Sequence, residues 1–580
     1  MARVWNSLAE NRRLRLERAA AVSGIAGKLC PANAATALLE AILEPGDRVC
    51  LEGNNQKQAD FLAAALVGCD SGRVHDLHMV QSVLALPEHL EVFERGLARR
   101  LDFSFSGPQA GRLAELLAAG KIELGAIHTY LELFARYFVD LTPRVALVAA
   151  VAADRAGNLY TGPNTEDTPV VIEATAFKNG IVIAQVNEIV DALPRVDIPA
   201  DWVDFVVPGP KPFFVEPLFT RDPALITEIQ VLMAMMVIKG IYAPYEVRRL
   251  NHGIGFDAAA IELLLPTFGE RLGLRGKICT HWALNPHPTL IPAIESGFVE
   301  SVHSFGSELG MEDYVAARPD VFFTGPDGSL RSNRAFSQAA GHYACDLFIG
   351  STLQIDLGGN SSTATKDRIT GFGGAPNMGA DPRGRRHVTP AFLKAGQESY
   401  GNFRPQISQN PSVLEKSLQP GSWPENLRKS ADYSPMPRGR KLVVQIVETF
   451  RAGMKPAFVE RLDAWDLAEG AGLELPPVMI YGDDVTHIVT EEGIAHLLRC
   501  DTPAERAAAI RAVAGYTPVG RARNRATTED LRRRGIVQRV DDLGIDPREA
   551  TREALAARSM KDLVRWSGGL YQPPKRFRNW

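Results

Sequence analysis

The stretch VAADRAGNLYTG at residues 151–162 is matched in the second half of the chain by LQIDLGGNSSTA at residues 353–364. Each stretch begins like an apolar strand and continues with the pattern Asp-x-x-Gly-Asn, which favours a tight turn. Gly157 and Gly359 hold the same place in the two patterns and lie 202 residues apart. The repeated strand and turn indicate that one structural unit occurs twice.

A second pair of segments keeps the same order along the chain. LEGNNQKQADFLAAALV at 51–67 and LNHGIGFDAAAIELLLP at 250–266 both place a glycine between a short strand and a helix with apolar spacing. Gly53 and Gly253 are 200 residues apart, nearly the spacing of the first pair. Two ordered repeats at nearly equal offsets predict duplicated domains.

Strand and helix signals alternate through most of the length, so we predict an α/β fold with open, mainly parallel sheets. Apolar strands are predicted at 48–52, 145–153 and 181–186. We expect a first domain, a second domain with an inserted Pro/Ser/Asn-rich loop, and a C-terminal extension. Their predicted bounds are 1–230, 231–515 with the loop near 388–437, and 516–580.

Composition narrows the classes of partner. The 580 residues contain 64 Lys and Arg against 68 Asp and Glu, so no broad basic field indicates nucleic acid or an anionic membrane. The apolar runs are shorter than a membrane-spanning helix requires. Six scattered cysteines without a Cys-x-x-Cys pair predict reduced thiols and no metal, and the charged N-terminus predicts a cytoplasmic protein.

Several ordered segments of the second half resemble the acetate CoA-transferase and acetyl-CoA hydrolase family. They are LNHGIGFDAAAIELLLP, GHYACDLFIGSTLQIDLGGN, ITGFGGAPNMGADPRGRR, PRGRKLVVQIVETF and VTHIVTEEGIAHLL. The first half is similar to that family through LVAAVAADRAGNLYTG and GIVIAQVNEIV. Within the superfamily the chain most resembles the alpha subunit of malonate decarboxylase, through LEGNNQKQADFLA, ICTHWALNPHPTLIPAIESGFVESVHSFGSELGMEDY and MKDLVRWSGGLY.

This resemblance implies two tandem CoA-transferase-like domains with the active site in the cleft between them. It also implies an enzyme that converts acetyl-S-acyl-carrier-protein and malonate to malonyl-S-acyl-carrier-protein and acetate. No cofactor is expected on this chain, because the reacting thiol belongs to a phosphoribosyl-dephospho-CoA group on the acyl carrier protein. The expected partners are malonate, acetate, that carrier subunit and the decarboxylase subunits of a complex.

Thioester exchange requires donors for an oxyanion, a seat for a carboxylate and exclusion of water. The resemblance assigns Gly371, Gly373 and Gly374 to a loop against the acyl thioester, where we expect backbone N–H groups of the loop to act as oxyanion donors. Gly358, Gly359 and Asn360 would support this loop, although an ordinary hairpin turn also explains all these residues.

Gly53, Asn54 and Asn55 are expected to open a helix whose N–H groups favour an anion, or to act as an ordinary cap. Asn187 is predicted at a strand end that faces the cleft in related enzymes. A turn asparagine is the alternative for this residue.

His281 and His287 are candidates for binding the second carboxylate of malonate, against a purely structural role. The arginines Arg383, Arg385 and Arg386 are candidates for the phosphates of the carrier's group, against a solvated basic loop.

One departure from the family concerns the catalytic nucleophile. Typical CoA-transferases carry a glutamate in the stretch that corresponds to THWALNPHP at 280–288, which here contains no carboxylate. Glu295 and Glu300 lie later, at positions better explained as helix and surface residues. We therefore expect malonate itself to attack the thioester. A CoA-transferase or acetyl-CoA hydrolase using free CoA, a citrate lyase alpha-like subunit and a non-catalytic assembly scaffold stay as alternatives.

Overall fold

The computed structural model describes residues 7–53, 57–163, 165–325, 330, 334–380, 441–578 and 580. The predicted inserted loop near 388–437 lies outside the described residues. The same holds for five candidate site residues, Asn54, Asn55, Arg383, Arg385 and Arg386.

The first sheet has eight strands in the order β4-β3-β2-β1-β5-β7-β8, with β6 beside β5. All neighbours are parallel except β5 and β6. The strands are β1 Arg48–Leu51, β2 Leu77–Val83, β3 Ala98–Phe105, β4 Glu123–Ile127, β5 Val145–Asp154, β6 Leu159–Tyr160, β7 Ile181–Val190 and β8 Phe205–Pro208. The strands predicted at 48–52 and 145–153 are confirmed as β1 and β5.

The second sheet also has eight strands, in the order β11-β10-β9-β12-β17-β20-β21-β22. It is parallel from β11 to β20 and antiparallel beyond. The strands are β9 Arg249–His252, β10 His281–Ala283, β11 Ser301–His303, β12 Leu347–Ser351, β17 Leu442–Ile446, β20 His487–Thr490, β21 Gly493–His496 and β22 Val537–Gln538. Three small hairpins pair β13 Gln354–Ile355 with β14 Ser361–Ser362, β15 Ala364–Thr365 with β16 Arg368–Ile369, and β18 Phe450–Arg451 with β19 Lys455–Pro456.

Helices cover both faces of each sheet. In the first half they are α1 Ser7–Ala20, α2 Ala35–Ile42, α3 Asp60–Val67, α4 Glu88–Glu94, α5 Ala110–Ala118, α6 Tyr130–Val139 and α7 Thr168–Phe177. The following helices are α8 Glu228–Val237, α9 Phe256–Leu264, α10 Ile291–Glu295, α11 Glu312–Ala316, α12 Arg334–Ala344, α13 Ala375–Met378, α14 Asp463–Ala471, α15 Pro503–Val513, α16 Pro518–Arg521, α17 Arg525–Arg533 and α18 Met560–Trp566. Within the described residues, no helix is both long and apolar enough to cross a bilayer.

The strand order confirms the duplication that the repeats predict. The run β3-β2-β1-β5-β7-β8 in the first sheet corresponds to β11-β10-β9-β12-β17-β20 in the second, both parallel throughout. Gly53 follows β1 and Gly253 follows β9, so the two repeated glycines occupy equivalent places. The C-terminal residues join the second half, since β22 is its edge strand and the Tyr571 side chain is fully buried.

Alternating strand residues supply two apolar cores in the first half. Cys50 and Ala146 pack against α6 and α7, whereas Val49, Leu51 and Leu147 pack against α2 to α5. A parallel sheet buried on both faces needs apolar residues at successive positions, which explains the continuous apolar runs in the sequence. All six cysteines belong to the described part of the chain, where they are buried and form no disulfide, in agreement with the predicted reduced thiols.

The repeated Asp-x-x-Gly-Asn pattern forms the turn after β13. Asp356 Oδ1 accepts hydrogen bonds from the amides of Gly358 and Asn360, at 2.8 and 3.0 Å. Gly359 lies at φ +84°, a region that glycine enters without strain. Asn360 Oδ1 then accepts the amide of Gly482 at 2.9 Å. The turn therefore anchors a neighbouring loop.

The first half builds the same turn after β5. Asp154 Oδ1 accepts the amides of Ala156 and Asn158, at 3.0 and 2.9 Å, and Gly157 lies at φ +94°. Asn158 Oδ1 accepts the amide of Ala200 at 2.8 Å. Because both copies use the aspartate and asparagine identically, the pattern is a folding element of each domain.

Two local predictions are wrong. The helix after β1 begins at Asp60 and not at Gly53, because Gly53 forms an antiparallel bridge with Gln58. The strand predicted to end at Asn187 continues to Val190, and Asn187 Oδ1 accepts the amide of Phe213 at 2.8 Å.

We predict that Asp356→Ala lowers the free energy of unfolding by about 3 kcal/mol, because the amides of Gly358 and Asn360 lose a charged acceptor. The measurement is the melting temperature together with a urea titration. Asp191→Ala is the control, since among the described residues Asp191 forms only an exposed ion pair with Arg155 and should cause a shift near zero. Equal losses in the two variants would contradict this role for the turn.

Candidate active site

A cavity of about 860 Å³ lies where the two halves of the chain meet. The first half contributes Phe105 at the end of β3 and Tyr130 at the start of α6, and the second contributes residues that follow β9 and β12. Strands β9 and β12 are neighbours in the second sheet. From β9 the sheet continues to β10, and from β12 it continues in the opposite direction to β17. Ligands of parallel α/β sheets bind at the carboxyl ends of strands at such a switch point.

The loop of residues 371–374, called here the glycine loop, joins the two halves beside this cavity. The amides of Phe372 and Gly373 both donate to the carbonyl of Ser104 at the end of β3, at 2.7 and 3.0 Å. The amide of Tyr130 donates to the carbonyl of Gly373 at 3.1 Å. The loop therefore acts as a backbone clasp between the domains.

Close approach explains the glycines of this loop. Gly371 lies at φ +81°, and a Cβ there would stand 2.4 Å from the carbonyl oxygen of Ser104. A Cβ on Gly374 would stand 2.4 Å from Nε2 of Gln338. The sequence predicts that the loop lines the thioester site, and all three predicted glycines do line the cavity. However, the amides of Phe372 and Gly373 are held by Ser104 and do not face the cavity as oxyanion donors.

Several other predicted site residues lie away from this cavity. Gly358, Gly359 and Asn360 form the turn described above, and Asn187 holds Phe213. Gly53 packs tightly outside the cavity lining, because a Cβ there would stand 2.6 Å from the Val83 carbonyl oxygen.

The structure separates the two candidate histidines. His281 is exposed at the start of β10, bonded to Thr280 and outside the cavity lining, so the prediction that it binds the carboxylate is not supported by its position. His287 is only 5% exposed and lines the cavity, with its ring stacked on Phe219 at 5.2 Å between centroids.

Behind His287 lies a fully buried carboxylate, Glu262 on α9. It accepts hydrogen bonds from Nδ1 of His287 and Nδ1 of His252, both at 3.0 Å, and from the hydroxyl of Thr289. Burial alone would raise the pKa of Glu262, but the charge of His287 and the hydrogen bonds of both histidines lower it to about 2. Glu262 is therefore ionised, and it orients the His287 ring from behind the cavity wall.

Arg221 lines the cavity without a carboxylate partner in the part of the chain that the structure describes. Its Nη1 donates to the carbonyls of Leu218 and Thr220, at 2.8 and 2.9 Å, and its guanidinium carbon lies 5.7 Å from the ring centroid of Phe256. Burial lowers the pKa of Arg221, which marks a partly desolvated cation. Such a group binds an anion strongly, because water competes with it less.

The carboxylates that line the cavity are already engaged. Glu216 pairs with Arg576 at 2.6 Å, and Asp367 pairs with Lys455 at 2.8 Å. Asp222 caps a short helical turn. Within the described lining, therefore, no free carboxylate stands ready as a nucleophile.

Glu295 and Glu300 are exposed outside the cavity lining, as the sequence suggests for helix and surface residues. Glu295 pairs there with Arg318 and accepts the hydroxyl of Tyr314.

A second cavity, of about 870 Å³, shares Phe372 with the first. Its buried charge is compensated, because Asp102 accepts from His78 and from His128, each at 2.7 Å. Arg136 in its lining pairs with Asp140. The cavity with the uncompensated cation is therefore the better candidate site.

Sequence reasoning missed Arg221 and the C-terminal residues Arg576 and Phe577, which line the cavity. It also missed Glu262, which lies behind the cavity wall and binds His287. Glu262 did carry a signal, because it is a lone carboxylate within the apolar helix AAAIELLL. Arg221 carried none, since only the packing of its loop against α9 brings it to the cavity.

We predict that Gly371→Ala destabilises the clasp by roughly 3 kcal/mol, because its Cβ would overlap the Ser104 carbonyl in addition to the strain of positive φ. Gly297→Ala is the matched control: Gly297 has φ +75° but open space around its Cβ, so only about 1 kcal/mol of strain is expected. Melting temperatures compare the two variants. If Gly371→Ala loses no more stability than Gly297→Ala, the loop shifts to accommodate the side chain and the prediction is wrong.

The comparisons with known proteins agree with this geometry. The chain matches the family described as malonate decarboxylase, alpha subunit, transporter, over residues 4–414 and 404–580. It is 60% identical over 578 residues to the acetyl-S-ACP:malonate ACP transferase of Malonomonas rubra, which covers 100% of this chain and 99% of that protein. It is 58% identical to a chain of the Pseudomonas malonate decarboxylase hetero-tetramer crystallised with malonate, with 99% of each chain covered and a TM-score of 0.89.

A more distant structure supports the fold alone. A chain described as the alpha subunit of citrate lyase from Streptococcus mutans is 14% identical, with a TM-score of 0.57 over 95% of this chain and 88% of that one. The expected α/β fold with mainly parallel sheets is thereby confirmed, and this citrate lyase chain shares it. The whole-length matches at high identity settle the family: the chain belongs to the malonate decarboxylase alpha subunits.

Proposed function

We propose that this chain is an acyl-carrier-protein transferase that exchanges acetyl-S-ACP with malonate to give malonyl-S-ACP and acetate. The observation that carries the proposal is the pair Arg221 and His287, two basic side chains in a cavity between the domains with no free carboxylate in its described lining. The name of the Malonomonas rubra relative, acetyl-S-ACP:malonate ACP transferase, supports the same reaction.

Arg221 is proposed to hold the carboxylate of malonate that does not react. Its Nη1 bonds to Leu218 and Thr220 fix the guanidinium, which leaves its other N–H groups for a carboxylate. Acetate has no second carboxylate and leaves this cation unpaired. Malonate is thus favoured over a monocarboxylate as acyl acceptor.

The free carboxylate of malonate then attacks the acetyl carbonyl carbon. The C–S bond breaks and its electron pair stays on the carrier sulfur, so that acetyl-malonyl anhydride and thiolate form. The thiolate next attacks the malonyl carbonyl carbon, and the C–O bond breaks to release acetate. Positioning of the reactants and exclusion of water are the contributions of the cavity.

The carrier is proposed to present its phosphoribosyl-dephospho-CoA arm to the same cavity, as a substrate group of the partner subunit. Arg368, Arg451 and Arg576 line the cavity and suit phosphate oxygens. We further propose assembly with decarboxylase subunits, as in the Pseudomonas hetero-tetramer, and a cytoplasmic location, which six buried cysteines without a disulfide favour.

The purified chain, acetylated carrier and carbon-labelled malonate test the function. Label should appear on the carrier as malonyl thioester, with one acetate released for each malonyl group formed. An unlabelled carrier, together with label on free CoA when acetyl-CoA replaces the carrier, would instead identify a CoA-transferase.

We predict that Arg221→Gln raises the KM for malonate roughly 10- to 100-fold, because a charged hydrogen-bond donor is lost from the carboxylate seat. Exchange of labelled acetate into acetyl-S-ACP should keep its KM, since acetate does not reach that seat. Arg248→Gln is the control, because Arg248 is exposed just before β9 and outside the cavity lining. Equal changes for malonate and acetate would contradict the proposed seat.

Direct attack by malonate also predicts resistance to borohydride. Incubation with acetylated carrier and borohydride should leave the enzyme active, because no acyl-enzyme thioester forms on a glutamate to be reduced. Activity after gel filtration and the intact mass of the chain are the measurements. Inactivation together with a reduced glutamate, at Glu295 or elsewhere, would establish the covalent route.

A further inference from the structure

The hydrogen bonds around Glu262 define the proton on each neighbouring ring. An ionised carboxylate only accepts, so Nδ1 of His252 and Nδ1 of His287 both carry hydrogen. On the far side of His252, Nε2 lies 2.8 Å from the hydroxyl of the buried Tyr242. That hydroxyl donates to Nε2, which leaves His252 a neutral ring with both nitrogens satisfied. Burial, which lowers the pKa of His252, agrees with this neutral state.

His287 differs from His252 in its second nitrogen. Nε2 of His287 is buried and has no hydrogen-bond partner among the described residues, although its ring lines the cavity. Phe219 stacks on the ring and Glu262 holds Nδ1, so rotation that would satisfy Nε2 elsewhere is blocked. Other buried histidines in the described part of the chain, such as His89 and His496, also have an unpaired nitrogen, but these two residues do not line the cavity. His287 combines an unpaired nitrogen with a ring in the cavity wall, where a ligand can supply the missing partner.

Glu262 receives three hydrogen bonds, two from imidazole N–H groups and one from the hydroxyl of Thr289. No lysine or arginine within the described residues forms an ion pair with it, and Arg221 acts on it only through space. A proton on Nε2 of His287 would place a cation directly against this buried carboxylate. His287 is therefore a cavity-lining ring that a buried carboxylate holds at Nδ1 and whose Nε2 has no partner among the described residues.

We propose that His287 carries the proton that the carrier sulfur takes up and returns during transfer, and that Glu262 positions it. This inference rests on the proposed transferase function. When the C–S bond of acetyl-S-carrier breaks, the sulfur keeps the electron pair as a thiolate, which takes the Nε2 proton and leaves neutral imidazole and a thiol until the second attack. The imidazole removes that proton again as sulfur attacks the malonyl carbonyl. The C–O bond of the anhydride then breaks and acetate leaves with the oxygen electron pair, so no net proton is consumed.

Chemical rescue tests this role with the full chain and acetylated carrier. His287→Ala should lower kcat for label transfer from malonate by roughly 100-fold or more. Added imidazole should raise the kcat of this variant at least about tenfold. Pyrazole should not raise it, because this ring of the same shape is too weakly basic to be protonated near neutral pH. Restoration by both rings alike would reduce His287 to a space-filling residue and overturn the proposal, as would an absence of rescue by either ring.

A second variant guards against misfolding. His287→Asn keeps an amide N–H near the position of Nδ1 for Glu262 but removes Nε2, so it should fold with the wild-type melting temperature and still lose transfer. Glu262→Gln keeps the shape of the positioning residue without its charge, and it should lower kcat far more than it raises the KM for malonate. His281→Asn is the matched control, because this exposed histidine lies outside the cavity.

The outcomes separate the two proposals. If the wild-type chain moves no label to the carrier, the transferase function itself fails. If the wild type transfers label and His287→Asn transfers it at the wild-type rate, the function stands and only the proton role of His287 is overturned.

Discussion

The carbonyl oxygen of Ser104 is the contact on which the candidate site depends. It lies on strand β3 of the first domain, one residue before the strand ends, and accepts hydrogen bonds from two amides of the glycine loop of the second domain. Because Gly371 approaches this oxygen so closely, a loop with side chains would hold the domains apart. Phe105 and Tyr130 on one side and the residues after β9 on the other form a single cavity as a result. The close contact between the domains explains the glycine at 371, and the same loop also lines the cavity.

The charges of the cavity then limit the chemistry. Its lining carboxylates are held by cations or by backbone amides, whereas Arg221 lacks such a partner among the described residues. This imbalance favours a small dianion and disfavours an enzyme-borne nucleophile. The absence of the usual glutamate from 280–288 is consistent with that distribution, because in the proposed reaction the acceptor supplies the attacking carboxylate.

The two halves show which features of the duplicated unit belong to the scaffold. Both keep the aspartate turn, because each domain needs the same anchor after an equivalent strand. The residue before the repeated glycine differs: Glu52 lies 3.6 Å from buried Lys57, whereas His252 joins the Glu262 network. The scaffold interaction is retained in both copies, while the position next to the glycine has acquired separate roles.

The sequence by itself determined the α/β class, the duplication, the central strands β1 and β5 and, through resemblance, the family. Those features follow from local apolar patterning and from turns whose hydrogen bonds span only a few residues, such as that of Asp356. Sequence reasoning also placed the glycine loop at the cavity and singled out His287, but it did not distinguish that residue from His281. The sequence also predicted that amides of this loop face the ligand. In the structure, the amides of Phe372 and Gly373 instead donate to the carbonyl of Ser104.

Only the tertiary structure decided which side chains share the site. Arg221, Glu262 and His287 come from separate segments, and nothing in their spacing along the chain indicates that they meet. Whether a histidine is exposed or faces a cavity depends on the packing of α9 and the loop around Phe219, and whether a charge is compensated depends on neighbours distant in sequence. Long-range packing and electrostatics therefore determined the chemistry, because they act through space and leave no local pattern in the sequence.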